Sequence, residues 1–162
     1  MYKPDSLREH LTKAIKDLRQ NPDKLHVFLD EGSALSTNTA SMSLSYDYVL
    51  NLIVTDIDKA AIDAIFVPLM AWMKVHQPDA FANEENRKKA IRFEVDLNSA
   101  TSIDVSIKLT LSERTVVTRE DGGRLNLSNP PEPQMTPPYA DAFWTLYDGD
   151  NLLAQWATPQ LP

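Results

Sequence analysis

The sequence predicts an α+β fold, a two-layer sandwich in which a mainly antiparallel four-stranded sheet carries two helices on one face. Two patterns support this prediction. Residues 44–54 and 103–111 place apolar side chains at every second position, as half-buried strands do. Residues 59–77 repeat apolar side chains at helical spacing instead. The predicted element order is α-β-β-α-β-β, and its short connections favour antiparallel neighbours in the sheet.

The first two elements are an amphipathic helix and a strand. Residues 4–6, Pro-Asp-Ser, form a helix start signal, and apolar residues recur at helical spacing as far as Asn21. Leucine and valine then alternate from residue 25 in a strand that breaks at Glu31 and resumes through Leu35.

The most apolar segment of the chain follows the central strand and is predicted to be a helix from about Lys59 to Gln77. Pro68 lacks a backbone donor, so we expect either a kink there or the point at which the regular helix begins. The unbroken apolar run, residues 64–73, is about half the roughly 20 residues that a membrane span needs. The segment is therefore predicted to be core, and we expect no membrane association.

The second half of the chain holds two more core strands and two hairpins. Residues 91–97 and 103–111 are predicted to pair antiparallel, and residues 115–118 and 125–127 flank a turn of Glu-Asp-Gly-Gly. Residues 129–138 contain five prolines and predict an extended spacer. A C-terminal β-hairpin with an Asp-Gly-Asp-Asn turn follows this Pro-rich linker.

We predict three segments along the chain: an α+β core domain of residues 1–119, a hairpin end with the Pro-rich linker at 120–138, and a C-terminal hairpin arm at 139–162. The predicted core contains these side chains: Leu7, Leu11, Ile15, Leu18, Leu50, Leu52, Ile62, Phe66, Leu69, Phe93, Val95, Ile103, Val105, Ile107 and Leu109.

Composition excludes several classes of function. The 16 basic and 23 acidic residues give a net charge of −7, which argues against sequence-specific nucleic-acid binding and against anionic membranes. The chain has no cysteine, so it has no disulfide and no thiolate nucleophile. No apolar export segment follows the N-terminus, and synthesis in the cytoplasm is expected.

No combination of residues predicts catalysis or cofactor binding. The three histidines, His10, His26 and His76, lie in separate elements without a ligand partner at suitable spacing. The acidic run at residues 56–63 lacks the glycine and the terminal glutamate of a calcium loop. We therefore predict no enzyme, no catalytic, cofactor-binding or metal-binding residue, and no cofactor.

Several motifs occur together that carry a family resemblance: KPDSL, NPD at 21–23, FLDEGS at 28–33, YVLNLIVTD at 48–56, VPLMAWMKVHQPD at 67–79 and SIDVSIKLTLSERTVV at 102–117. In order and spacing the chain resembles the tail completion protein R family of Peduovirus-type contractile-tailed phages and prophages. The likeness is weakest between residues 120 and 138.

The resemblance implies a structural protein of the virion tail, made in the cytoplasm of the bacterial host. Its role would be to cap the end of the tail tube and to enable head-tail joining, as tail terminators do. By analogy with terminators, the expected partners are further copies of itself in a ring, with a hexamer as the implied size, together with tail tube and head-completion or connector proteins. The alternative is an acidic protein-binding module that recruits a basic partner and has no part in virion assembly.

Tryptophan and tyrosine commonly anchor protein interfaces, which makes the C-terminal hairpin a candidate subunit contact. The predicted interface residues are Trp144, Tyr147, Leu152 and Trp156. The alternative is that the hairpin folds back over the open face of its own sheet. An isolated hairpin is marginally stable in water, so it must dock in either case.

A ring on the tail tube would surround the passing DNA, and acidic residues on its inner wall would repel phosphate. The candidate luminal residues lie in loops and on outward strand faces: Asp30, Glu31, Asp56, Asp58, Glu94, Asp96 and Asp104.

Overall fold

The computed structural model describes residues 1–36, 40–134 and 142–159. Its helices are α1 (Lys3–Ala14), α2 (Lys16–Gln20), α3 (Asp63–His76) and α4 (Glu84–Ala90). Its strands are β1 (Leu25–Ser36), β2 (Leu44–Asp58), β3 (Ile91–Leu97), β4 (Ser102–Arg119), β5 (Leu125–Ser128), β6 (Phe143–Asp148) and β7 (Asn151–Ala157).

The main sheet confirms the predicted α+β class with antiparallel strands. Its strands are ordered β1-β2-β4-β3, and β5 pairs with the last residues of β4 as a fifth strand that the predicted four-stranded sheet did not include. The first strand shifts register between Leu29 and Glu31, as the break in its pattern indicated. A second shift lies between Val54 and Ile57, where Asp56 has a φ of 53°.

One face of this sheet is covered by the helices and holds the core. Register pairs such as Leu50 with Leu109 and Leu52 with Ile107 bring the apolar sides of β2 and β4 together beneath α1 and α3. The predicted core residues that the structure buries are Leu7, Leu11, Ile15, Leu18, Leu50, Leu52, Leu69, Ile103, Val105, Ile107 and Leu109.

The predicted core is wrong at Phe93, which is 56% exposed, and Ile62, Phe66 and Val95 are only half-buried. Phe93 lies on the helix-covered face, opposite Ile107, as its periodicity indicated. However, β3 is the edge strand, and the ring of Phe93 meets α3 at Phe66 in an edge-on contact with the ring centroids 5.0 Å apart. The pattern identified the face correctly and overestimated how far the helices cover it.

Two helices also differ from their predicted bounds. The first breaks at Ile15, whose extended backbone pairs with Ala154 as an isolated bridge, so residues 3–20 form two helices. The long helix begins with a separate 3-10 turn, Lys59–Ala61, that Asp58 caps by accepting the N–H of Ala60. Within the described residues, no helix is long and apolar enough to cross a membrane.

Both predicted hairpins are present. The turn between β4 and β5 contains Gly122 and Gly123 at φ 78° and 84°, conformations that glycine adopts without steric cost. In the C-terminal hairpin, β6 pairs with β7 and Trp144 lies opposite Trp156 near the open end. The part of the Pro-rich linker from residue 135 to residue 138 lies outside the described residues.

Candidate assembly site

The C-terminal hairpin docks on the helix layer of its own chain. Ala154 pairs with Ile15 at the junction of α1 and α2, and both Ala154 and Trp156 are buried. The indole rings of Trp144 and Trp156 meet edge to face with centroids 5.9 Å apart. The hairpin therefore forms a layer outside the helices in this structure, and the helix-free face of the sheet is not where it binds.

The four predicted interface residues lie in two different environments. Trp156 is 5% exposed and packs within its own chain, and Trp144 is half-buried beside it. Tyr147 and Leu152 form a register pair next to the turn, and both are exposed. The part of the hairpin open to another molecule is therefore its turn end, with Phe143 exposed at the other end.

A cleft of about 480 Å³ separates the hairpin from the helices. His10 and His76 both line it, although they are 66 residues apart in the chain and no sequence pattern linked them. His10 Nε2 lies 3.0 Å from the carbonyl oxygen of Pro68, which can only accept, so Nε2 carries the proton. Burial lowers the pKa of His10.

His76 is buried, and its ring stacks on Trp72 with centroids 4.5 Å apart. Burial, with the nearby charges of Lys3 and His10, lowers the pKa of His76 to about 4. Trp72 in turn donates from Nε1 to the hydroxyl oxygen of Ser6 at 3.1 Å, which joins α3 to α1. The cleft thus has a neutral imidazole in its wall near neutral pH.

Beside the cleft lies a buried polar network that the sequence patterns did not predict. Lys3 is fully buried, and its Nζ donates to Gln77 Oε1 at 2.8 Å and to the Ser112 carbonyl at 2.5 Å. Gln77 Oε1 also accepts the N–H of Ser112 at 3.1 Å. These side chains bind the backbone of β4 just past Leu109, the residue of β4 at which its pairing with β3 ends.

Glu113 is the acidic member of this network and is 2% exposed. Its carboxylate accepts the backbone N–H groups of Tyr2 at 2.7 Å and Lys3 at 3.3 Å, and the hydroxyl of Tyr48. Burial raises the pKa of Tyr48, and the hydrogen bond to Glu113 adds to the rise. Burial also raises the pKa of Tyr2 to about 12.

The described start of the Pro-rich linker is attached to the core. Asn129 Nδ2 donates to the Arg114 carbonyl and Gln134 Nε2 to the Val75 carbonyl, at 3.1 and 3.0 Å. Between them Glu132 forms a salt bridge with the buried Lys3 at 3.0 Å. Residues 129–134 therefore run along the core, and the prediction of an extended spacer overlooked this attachment.

Most of the acidic residues proposed for a lumen lie on the helix-free face of the sheet. Asp30 accepts from Asn51 on this face at 3.1 Å, and register pairs place Glu31, Glu94, Asp96 and Asp104 on the same side. Asp56 lies at its rim, where its backbone N–H donates to Asp104, and Asp58 caps the following 3-10 turn. We call this surface the open face.

Lys108 and Arg92 form a register pair on the same face, and they are its central cations. The acidic groups therefore flank a small basic patch. Among the residues that the structure describes, no group of three histidine or acidic side chains could hold a metal ion.

Comparison with known proteins assigns the chain to a family. The family model described as P2 phage tail completion protein R (GpR) matches residues 1–133. The chain belongs to this tail completion protein R family. Tail completion protein R of Escherichia phage P2 is 43% identical over 159 residues, which cover 96% of this chain and 99% of that protein. No solved structure gives a significant match.

The resemblance found in the sequence is therefore confirmed, and with it membership of a structural family named for tail completion. Membership in the tail completion protein R family gives a context to the exposed apolar side chains of the hairpin and of β3. An assembly protein needs contact surfaces rather than a catalytic site, and these two surfaces are the candidates.

Proposed function

We propose that this protein completes the phage tail by capping the end of the tail tube as a homo-oligomeric ring, and that the capped tail then joins the head. The observation that carries the proposal is the similarity to Tail completion protein R of Escherichia phage P2 along 96% of the chain. The proposed partners are tail tube and head-completion or connector proteins, and the proposed location is the virion tail after synthesis in the host cytoplasm.

The surfaces of the chain support an assembly role. Leu97 is 68% exposed on β3, and Tyr147 and Leu152 are exposed at the hairpin turn. Large apolar side chains that are grouped and exposed mark sites of protein contact. We propose that the turn end of the hairpin, with Tyr147 and Leu152, contacts a tail or head component.

Electron microscopy of tails made with and without the protein tests this function. Particles that lack it are expected to accumulate as separate heads and tails, and complementation with the native chain is expected to restore joined particles and density at the tail end. A Tyr147→Ala and Leu152→Ala chain should fold normally and restore fewer joined particles. Normal joining without the protein would refute the proposed function.

We also propose that the open face lines the channel of the ring, where its acidic residues repel the passing DNA. The support is their grouping: Glu94, Asp96 and Asp104 lie on two adjacent strands of one face. Charges near a channel wall act within about 8 Å at physiological salt, so a shared face is required for this effect.

The same acidic face would suit the second candidate function, recruitment of a basic partner outside virion assembly. Two observations distinguish a tail protein from a recruiting module. If the protein is a recruiting module, particles made without it will join normally, and a basic protein will co-purify only when the acidic residues are intact.

A further inference from the structure

We infer that the subunits of the proposed ring join edge to edge, with strand β3 of one copy paired antiparallel to strand β1 of the next. This inference rests on the proposed function for the existence of the ring and adds the surface that builds it. The partner is a second copy of this chain, and the contact joins two different edges of one sheet.

Both edges are open in the described structure. The sheet order β1-β2-β4-β3 leaves β1 and β3 outermost, and no described strand pairs with their outer sides. Exposed strand edges pair readily with other chains, and soluble proteins protect or use them. A head-to-tail junction uses the β1 edge and the β3 edge of each subunit. A closed ring therefore leaves neither of these two edges free.

Strand direction favours this junction. Each of the three steps from β1 to β3 is antiparallel, so β1 and β3 run in opposite directions within one subunit. A copy rotated about an axis along the strands therefore presents its β1 antiparallel to β3 of its neighbour. The junction continues the alternation of the sheet, with the helices of both copies on the same side.

One register matches side chains on both faces. When Phe93 lies opposite Leu29, Val95 lies opposite Val27, and all four are on the helix-covered face. Phe93 and Leu29 are 56% and 41% exposed, and the pairing would bury both. Apolar cross-strand pairs of this kind stabilise sheets.

On the open face the same register forms polar pairs. Arg92 lies opposite Asp30, which makes an ion pair, and Asp96 lies opposite His26, whose ring can donate a hydrogen bond. Glu94 faces the exposed Phe28. The straight part of β1, residues 25–29, accommodates residues 93–97 of β3, and the register shift between Leu29 and Glu31 lies opposite Arg92 and Ile91, where the junction ends. At the opposite end of the junction, the carbonyl of Leu25 accepts a hydrogen bond from Arg8 at 3.2 Å.

Disulfide cross-linking tests the junction directly, because the native chain has no cysteine. The test variant carries Phe28→Cys and Glu94→Cys, which are opposite each other in the inferred register. Within one subunit these positions are separated by three strand spacings, about 14 Å, whereas a disulfide needs Cα atoms within about 7 Å. Any disulfide that forms therefore joins two chains.

Oxidation of this variant, both as purified protein and in assembled tails, is expected to give a covalent ladder that ends in one largest species. The matched control carries Ser33→Cys and Glu94→Cys, which the register separates by about 15 Å. It should give no ladder. On a denaturing gel, each single-cysteine chain should migrate as a monomer. A mixture of the two single-cysteine variants should give covalent dimers and no larger species.

A second measurement uses charge. Arg92→Asp should raise the concentration needed for assembly about fivefold, and adding Asp30→Arg in the same chain should restore it, because the pair is formed again with reversed signs. Failure of the double variant to recover would contradict the register.

The outcomes separate the two proposals. Rings that assemble without cross-linking of Phe28→Cys to Glu94→Cys would overturn the edge junction and leave the tail function intact. Disulfide dimers of the Glu94→Cys chain alone would also overturn it, because they require two β3 edges to meet. Absence of any oligomer in solution and at the tail end would overturn the ring, and the junction with it.

Discussion

The carboxylate of Glu113 accepts the backbone N–H of Tyr2 at 2.7 Å, across 111 residues of sequence. Tyr2 precedes the first residue of α1, where backbone N–H groups have no partner within the helix and a negative charge is favoured. No side chain of the helix itself caps this end. A residue of β4 therefore does so, and it fixes the position of α1 on the sheet.

Replacing Glu113 should destabilise the protein strongly. Glu113→Ala leaves the N–H groups of Tyr2 and Lys3 and the Tyr48 hydroxyl without their acceptor, and it leaves Lys3 with less negative charge nearby. We expect a loss of about 3 to 5 kcal/mol in the free energy of unfolding, measured by chemical denaturation. The matched control is Glu85→Ala on the exposed face of α4, which should leave the free energy of unfolding nearly unchanged. Equal effects at the two sites would contradict the capping role.

The sequence predicted the strands well because alternation is a local signal. In β4 the buried positions run from Ile103 to Leu111 at every second residue, and Glu113 continues the series. That continuation was the available sign that Glu113 is buried. The burial of Lys3 had no such sign, because its partners Gln77, Ser112 and Glu132 lie 74 to 129 residues away.

The hairpin shows the same limit. Its strands and turn could be predicted from Trp144 to Trp156, but its docking place depends on Ile15, which reads as one more apolar position of a helix. Local periodicity predicts which residues form an element and which face is apolar. It does not predict which distant element covers that face, and this is why Phe93 was assigned to the core.

Two leucines of the same sheet give a matched test of burial. Leu109 is fully buried in the middle of β4, and Leu97 is 68% exposed at the end of β3. Leu109→Ala should reduce the free energy of unfolding by about 2 to 5 kcal/mol, because it leaves a cavity in the core. Leu97→Ala should change it by less than about 1 kcal/mol. Denaturant titration of both variants measures the difference, and similar midpoints would contradict the assignment of helices to this face of the sheet.

Phe66→Ala tests the border of the core. Phe66 is half-buried and contacts the exposed ring of Phe93, so we expect a smaller loss than for Leu109→Ala, about 1 to 2 kcal/mol. If Phe66→Ala reduced the free energy of unfolding as much as Leu109→Ala, Phe66 would have to be more deeply buried than the structure describes.

Acidification should destabilise the protein through His76. The pKa of His76 is lowered to about 4 in the folded state, whereas an unfolded histidine titrates near 6.5, so between these values the unfolded chain binds more protons. The contribution of His76 to the free energy of unfolding is therefore fully present above about pH 6.5. It is lost as the pH falls towards 4, by up to about 3 kcal/mol. His76→Phe keeps a ring to stack on Trp72 and should flatten this part of the pH profile of unfolding.

His10 and the carboxylates also titrate as the pH falls, so the quantity to compare is the difference between the native chain and His76→Phe. The matched control is His26→Phe, because His26 is exposed on β1. If the pH dependence of the unfolding free energy were unchanged in His76→Phe but reduced in His26→Phe, the assignment of this dependence to His76 would be wrong.

Chelators and nucleotides should leave the protein unaffected. The described residues contain no cluster that could hold a metal ion, and the sequence has four glycines and no phosphate-binding loop. A ligand that binds the folded state raises the melting temperature. We expect melting temperatures with EDTA, zinc, calcium or ATP to agree with that of the untreated protein, and a reproducible shift of several degrees would contradict the absence of such sites.

The last prediction concerns the charge of the open face and the passage of DNA. If this face lines the channel, replacing its acidic residues by lysine should create attraction for phosphate where there was repulsion. Glu31 and Glu94 are suitable because both are exposed and neither carries an ion pair in the described structure. Glu94 lies in the inferred β1–β3 junction opposite Phe28, and Glu31 lies at its end, so the oligomeric state of the Glu31→Lys and Glu94→Lys variant is measured by light scattering before DNA is added. The control is Asp5→Lys with Asp121→Lys, which makes the same change in net charge at two exposed positions outside the open face.

The Glu31 and Glu94 variant should retain DNA at low salt, lose that retention as salt screens the charges, and yield particles of lower infectivity. The control should show neither effect, because it has the same net charge but its added lysines lie away from the proposed channel wall. Equal DNA retention by the two variants would show that net charge alone is responsible and that the open face does not line the channel.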